Sequence, residues 1–240
     1  MLKFLNQNQQ LLMVVGILSL LAFSNMSALT NHIRDAQKIN HTTIKSISTT
    51  TNKIALTFDD GPSPLTTLEL LTILKAKNAK ATFFILGKNG ETYPDLLEQI
   101  GADGHEIANH AYSHARLARL SDDDIKSEMN RTDALILNVT GQKAHLIRPP
   151  DNSYNNNVVN IAHQLGYTFV LWSVDTKDWT NVSTETILKR VANVQPGDII
   201  LFHDGVKPSK TVAALPTVID VLQAKGLDLV TVTELLQSNK

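Results

Sequence analysis

The stretch KIALTFDDGP, residues 53–62, sets the pattern for the rest of the chain. Lys53 to Phe58 is a short, mostly apolar run. It stops at two acids and a Gly-Pro turn, as a buried strand does when it leaves a sheet. The same pattern recurs at ATFFIL (81–86), HEIAN (105–109), AHLIR (144–148), YTFVLWSV (167–174), DIILFH (198–203) and LDLVTV (227–232). The segments between these runs carry helical spacing. Leu68, Leu71 and Leu74 mark a helix within 64–78, and Leu96, Leu97 and Ile100 mark another within 94–100. Ser121 followed by Asp122, Asp123 and Asp124 is a helix start, with a capping hydroxyl and acids in the first turn. That helix is expected to reach about Asn138, and further helices are expected at 157–165, 184–194 and 212–225. Apolar strands alternating with amphipathic helices give an α/β fold, its parallel sheet either covered on both faces or closed into a barrel. Such folds place their chemistry at the C-terminal ends of the strands. The polar clusters lie there: Asp59-Asp60, Asn109-His110, Arg148, Asp175 to Asp178, and His203-Asp204.

Composition narrows the chemistry. The 240 residues carry 22 Lys and Arg against 23 Asp and Glu, a formal charge of −1, which argues against a nucleic-acid binder, since that needs a basic face. There is no cysteine, which excludes disulfides, a thiolate zinc site and a cysteine nucleophile. A metal would have to be held by His, Asp or Glu. Residues 1–28 read as a signal peptide or N-terminal membrane anchor. Lys3 precedes the unbroken apolar run Leu11 to Phe23, which suits an export signal and is short for a spanning helix of roughly 20 residues. Either form sends the rest of the chain out of the cytoplasm, and an uncleaved one attaches it to the membrane. Residues 29–52, rich in Thr, Ser and Asn, read as a flexible polar linker, and 53–240 as one folded domain.

Several constellations have both a chemical and a plain reading. Asp59 and Asp60 are adjacent, so on a strand they point to opposite faces unless the chain bends, which Gly61-Pro62 favours. One carboxylate can then bind a metal while the other takes a proton. An acidic turn is the plain alternative. His110 and His114 are four apart, a spacing that on a helix puts both imidazoles on one face to share an ion. Residue 111 is Ala, so this is not the metalloprotease His-Glu arrangement. His203 closes an apolar strand where an acid or base can sit. Arg148, before two prolines, can hold a carboxylate. Trp179 can wall a pocket for a sugar or pack in a core. His105 reads as structural.

Taken together, these pieces resemble the polysaccharide deacetylases of carbohydrate esterase family 4, which have a NodB-like catalytic domain. Five motifs appear in family order over Lys53 to the C-terminus: TFDDGP (57–62), HAYSH (110–114), RPPDNSY (148–154), DTKDW (175–179) and LFH (201–203). The resemblance implies a distorted (β/α) barrel of seven to eight mostly parallel strands. It implies that Asp60, His110 and His114 bind a divalent metal, zinc most often and cobalt as an alternative. Asp59 would be the general base and His203 the general acid. Arg148 would orient Asp59, and Asp178 would pair with His203. Asp151, Tyr154, Trp179 and Leu201 would contact substrate, with Trp179 and Leu201 walling the acetyl pocket. The implied reaction removes N-acetyl groups from an extracellular N-acetylhexosamine polymer, peptidoglycan first and chitin-like or biofilm polymers next. O-acetyl xylan esterase and a non-enzymatic glycan-binding module are the alternatives. Two positions depart from the family pattern. Ala111 stands where Ser or Thr is usual, and Asp151 where Tyr is usual. A carboxylate at 151 opposes a developing oxyanion unless it is paired or turned away.

Overall fold

The computed structural model describes residues 43–205 and 209–238. The expected leader at 1–28 and most of the expected linker lie outside the described residues. The described chain forms one nine-stranded sheet in the order β1-β6-β5-β4-β3-β2-β8-β7, with β9 also paired to β2. The strands are β1 (Thr43–Ile44), β2 (Lys53–Asp59), β3 (Ala81–Ile85), β4 (Glu106–Asn109), β5 (Leu146–Ile147), β6 (Thr168–Val170), β7 (Val174–Asp175), β8 (Ile199–His203) and β9 (Asp228–Val230). Every ladder between them is parallel. The helices are α1 (Thr67–Ala76), α2 (Gly87–Thr92), α3 (Pro94–Ala102), α4 (Asp122–Thr140), α5 (Asn156–Gln164), α6 (Thr184–Val191), α7 (Lys210–Ala224) and α8 (Val232–Gln237). This is the expected α/β barrel fold of parallel strands, curled as a half-barrel and with nine strands rather than seven to eight. Among the described residues no helix is long and apolar enough to cross a membrane.

Three sequence expectations are corrected. YTFVLWSV is not one strand. Its first part pairs with β5 and β1, its last part with β8, and Leu171 to Ser173 bridge the gap. Leu171 N–H donates to Ile44 O and Ser173 N–H to Ile199 O, so this run curls the sheet round on itself. The linker does not extend to residue 52. Thr43–Ile44 is a strand, and Ile47 is buried in the core. Ile47 N–H donates to Gly197 O, and a Cβ at Gly197 would lie 1.8 Å from Ile47 O, so only glycine permits that approach. β9 ends at Val230 because Thr231 opens α8 with a capping box to Glu234. The short helices α2 and α8 were not expected.

The expected cap of α4 is present: Ser121 Oγ accepts from Asp124 N–H, and Gly141 closes the helix in the left-handed region.

The period of two along β2 organises the site. Ile54, Leu56 and Phe58 are fully buried outward beneath the helices, with the Phe58 ring 5.0 Å from Phe83 and 5.7 Å from Phe202. Ala55, Thr57 and Asp59 form the inward column. Ala55 joins an apolar cluster with Phe84, Ala108, Ile199 and Val170, onto which Val232 and Leu235 of α8 pack. Thr57 is a polar layer above it, donating its hydroxyl to Ile200 O. Asp59 is the top layer. In register beside this column, β8 presents Ile199, Leu201 and His203.

Candidate active site

Asp59 sits at the C-terminal end of β2, almost fully buried, opposite His203 in the adjacent strand. Arg148, completely buried, donates from Nη1 to Asp59 Oδ1 at 2.6 Å and to Thr57 Oγ1 at 2.9 Å. Its Nη2 donates to Leu171 O at 2.9 Å, and the guanidinium stacks 4.0 Å above the Phe84 ring. Asp59 is thereby held in one orientation by a cation that is itself held on several sides.

The next residue bends away. Asp60 adopts a left-handed φ of 75°, so the two consecutive carboxylates face the same cavity. Gly61 makes the turn possible, because a Cβ there would lie 2.4 Å from Asp204 Oδ2. Asp204 is fully buried and accepts hydrogen bonds from the hydroxyls of Thr66 and Thr67. Burial pushes its pKa up, against those two bonds, to about 6. Its N–H donates to Asp59 O. Asp204 therefore ties the end of β8 to the acidic turn.

His110 and His114 do not lie on a helix. They follow β4 in a loop in which Ala111 and His114 both take a φ of 63°. The loop nevertheless brings both imidazoles to Asp60. His110 Nε2 is 3.5 Å and His114 Nε2 3.4 Å from Asp60 Oδ1, and His110 Nε2 is 3.7 Å from Asp59 Oδ2. One donor atom from each of Asp60, His110 and His114 lies within 4.8 Å of the others. Asp60 Oδ1 is buried and, among the described residues, has no hydrogen-bond partner. His110 Nδ1 lies 2.8 Å from Arg148 O and donates to it in the neutral ring, which turns the Nε2 lone pair toward Asp60. A lone pair facing an unpartnered carboxylate oxygen calls for a cation between them. Without one, a proton serves: burial opposes the imidazolium of His110, but Asp59 and Asp60 outweigh it and raise its pKa. Burial likewise opposes the charge of Asp60, while the surrounding imidazoles pull its pKa below the ordinary carboxylate value. The residues fit a divalent metal bound by one carboxylate and two imidazoles, a set that leaves coordination positions open.

Across the cavity, His203 Nδ1 is 2.8 Å from Asp178 Oδ1, and Asp178 is completely buried. Asp178 also accepts from His203 N–H at 2.7 Å and from the Thr211 hydroxyl. Burial disfavours the charged ring, but Asp178, with Asp59 and Asp60 behind it, pushes the His203 pKa up to about 9. The cavity encloses about 470 Å³. Leu201 and the half-exposed Trp179 line it. Trp172, inside the run read as a continuous strand, lines it as well.

Asp151 reaches the rim, but its carboxylate accepts from Arg116 Nε at 2.8 Å. The anion expected to oppose an oxyanion is thus paired. Tyr154 is not among the lining residues; its ring packs on Phe169, 5.3 Å between centroids. The two left-handed residues Asp151 and Asn152 turn the chain sharply before it.

Sequence reasoning missed Arg116, Trp172 and the bonds of Asp204. Only Asp204 had a local signal, its place directly after His203 at a strand end.

The family model for polysaccharide deacetylases matches residues 46–170. A peptidoglycan-N-acetylglucosamine deacetylase of Bacillus cereus is 39% identical over 191 residues, covering 78% of this chain and 70% of that protein. The chain belongs to the polysaccharide deacetylase family. With relatives at 36–39% identity over most of its length that are peptidoglycan deacetylases, it is an enzyme, a polysaccharide deacetylase. The peptidoglycan-N-acetylmuramic acid deacetylase PdaC of Bacillus subtilis is 39% identical over 189 residues, covering 78% of this chain and 39% of that protein. Among solved structures, a peptidoglycan N-acetylglucosamine deacetylase in complex with a substituted N-hydroxybenzamide is 35% identical. It matches at a TM-score of 0.78 over 82% of this chain and 93% of its own. That structure carries the same (β/α) barrel fold as the deacetylase described here.

Proposed function

We propose that this deacetylase is a metal-dependent hydrolase that removes N-acetyl groups from an extracellular N-acetylhexosamine polymer, with the N-acetylglucosamine of peptidoglycan as its substrate. The observation that carries the reading is the orphaned Oδ1 of Asp60, faced by the Nε2 atoms of His110 and His114. Asp60, His110 and His114 would hold a zinc ion, which would supply Lewis-acid polarisation of the acetyl carbonyl and a lowered pKa for water. Asp59, oriented by Arg148, takes the proton from the attacking water. His203 carries the proton that the departing amine needs. Its hydrogen bond and ion pair with Asp178 raise its pKa, which favours the protonated ring that a general acid needs. Asp178 accepts a hydrogen bond from Nδ1–H and fixes the ring, so the proton given to the amine is the one on Nε2, which faces the substrate side. Leu201 and Trp179 exclude water around the acetyl methyl.

Cell-wall substrate is supported by the names of the relatives. Export is supported by the apolar run Leu11 to Phe23 behind a short cationic head. The test is acetate release from peptidoglycan, N-acetylglucosamine oligomers and acetylated xylan, with and without a chelator. Release from the amide substrates should require added zinc and should vanish in Asp59→Ala. Chelator-resistant release, or release from xylan alone, would refute the assignment.

A further inference from the structure

The loop that joins the two imidazoles is held from outside. Ala111 and His114 both occupy the left-handed region, which non-glycine residues keep only where their surroundings dictate it. Ala111 has no hydroxyl with which to brace the turn, and its N–H is taken by Asn109 Oδ1 at 2.8 Å. The next two residues are bound by one side chain, Glu128 in the middle of α4. Glu128 Oε2 accepts from Tyr112 N–H at 2.9 Å and from Ser113 N–H at 2.8 Å. Its Oε1 accepts from Ser113 Oγ at 2.9 Å. The outer face is closed by Arg131, 3.5 Å over the Tyr112 ring. The inner carbonyls are closed by the N–H groups of Gly87 and Lys88, which donate to Ala111 O and Tyr112 O. Of these contacts only that of Glu128 is charge-assisted and made three times to two consecutive residues.

We propose that Glu128 is a positioning residue of the metal site. It holds the Ala111–Ser113 connection so that His110 and His114 both aim Nε2 at Asp60. It touches neither substrate nor metal and acts through the backbone between the two imidazoles. The inference rests on the reading of Asp60, His110 and His114 as a metal site.

The test is zinc affinity, measured by competition with a chromophoric chelator on the full chain stripped of metal. Removing a group that orients metal ligands costs about tenfold to a hundredfold in metal affinity. Glu128→Ala should therefore raise the zinc Kd by that factor. Glu128→Gln, which keeps an acceptor oxygen but loses the charge, should fall between it and wild type. At saturating zinc both should regain kcat to within about threefold, because the site is the same once filled. A purely structural Glu128 predicts otherwise: the unfolding temperature of the metal-free protein drops, and the zinc Kd of the folded protein stays at the wild-type value. That result overturns the proposal. Should the Glu128 variants fail to fold, Ser113→Ala removes one of the three bonds and keeps the carboxylate. It should raise the Kd by about threefold, and an unchanged Kd there overturns the proposal equally. Wild-type protein that binds no zinc would overturn the metal reading itself, whereas wild-type binding with unaltered variants overturns only the role of Glu128.

Discussion

Asp178→Asn tests the pairing that makes His203 an acid. In the folded protein the His203 pKa is about 9 against an ordinary 6.5. The ring is mostly buried, with its side chain 15% exposed, so the shift couples to stability. Because the folded value is the higher one, the folded state binds the extra proton. The resulting stabilisation is fully present below pH 6.5 and is lost as the pH rises through 9. Each pH unit between the two values is worth about 1.4 kcal/mol, so the whole effect is about 3 kcal/mol. Asp178 makes the largest upward contribution, through its hydrogen bond and its charge together. Its replacement by an isosteric amide should remove about 2 kcal/mol of that pH-dependent part. The assay is urea unfolding of chelator-treated protein at pH 6 and pH 9.5. Any pH-independent cost of the substitution cancels in the difference between the two pH values. Wild type should lose about 2 kcal/mol more than the variant over that interval. The alkaline limb of kcat should also move to lower pH in the variant. Equal losses in the two proteins would refute the assignment of the raised pKa to Asp178.

Arg148→Met leaves Asp59 buried without its cation and should cost about 3–5 kcal/mol in urea unfolding, far more than an exposed pair would; a loss below about 1 kcal/mol would contradict the burial of the pair. Burial, aided by Lys80, lowers the His105 pKa to about 4, so this neutral ring stabilises the fold above pH 6.5 and that contribution is lost as the pH falls through 4. His105→Gln should flatten the acid side of the stability profile between those values. Gly61→Ala forces a methyl to within 2.4 Å of Asp204 Oδ2 and should cost at least about 1–3 kcal/mol, read as a fall in Tm. A variant as stable as wild type would show that the acidic turn is not packed against Asp204.

The strands and their polar ends were legible because each is a local pattern. An apolar run stopped by acids, glycine or proline specifies a strand end whatever else surrounds it. Asp59, Asp60, His110, Arg148 and His203 lie at such ends, with His114 and Asp178 in the loops that follow, and the sheet gathers them around one cavity. The α4 cap was legible for the same reason, since Ser121 and its acids act within one turn.

Other features depended on residues far apart in the chain. The run at 167–174 is uniformly extended in composition, but its two halves bond to strands on different sides of the sheet, and no local signal marks the break at Leu171. Thr43 and Ile44 look like linker until Phe169 and Val170 offer a ladder. The spacing of His110 and His114 suits a helix, yet the pair converges from a loop whose backbone N–H groups at Ala111, Tyr112 and Ser113 are held by Asn109 and Glu128. Asp151 was a disruptive charge in one dimension, but Arg116, thirty-five positions away, pairs with it in three. The amino-acid order thus settled which residues carry the chemistry, through short-range patterning. Their orientation and the neutralisation of their charges were settled by contacts that exist only once the sheet has curled.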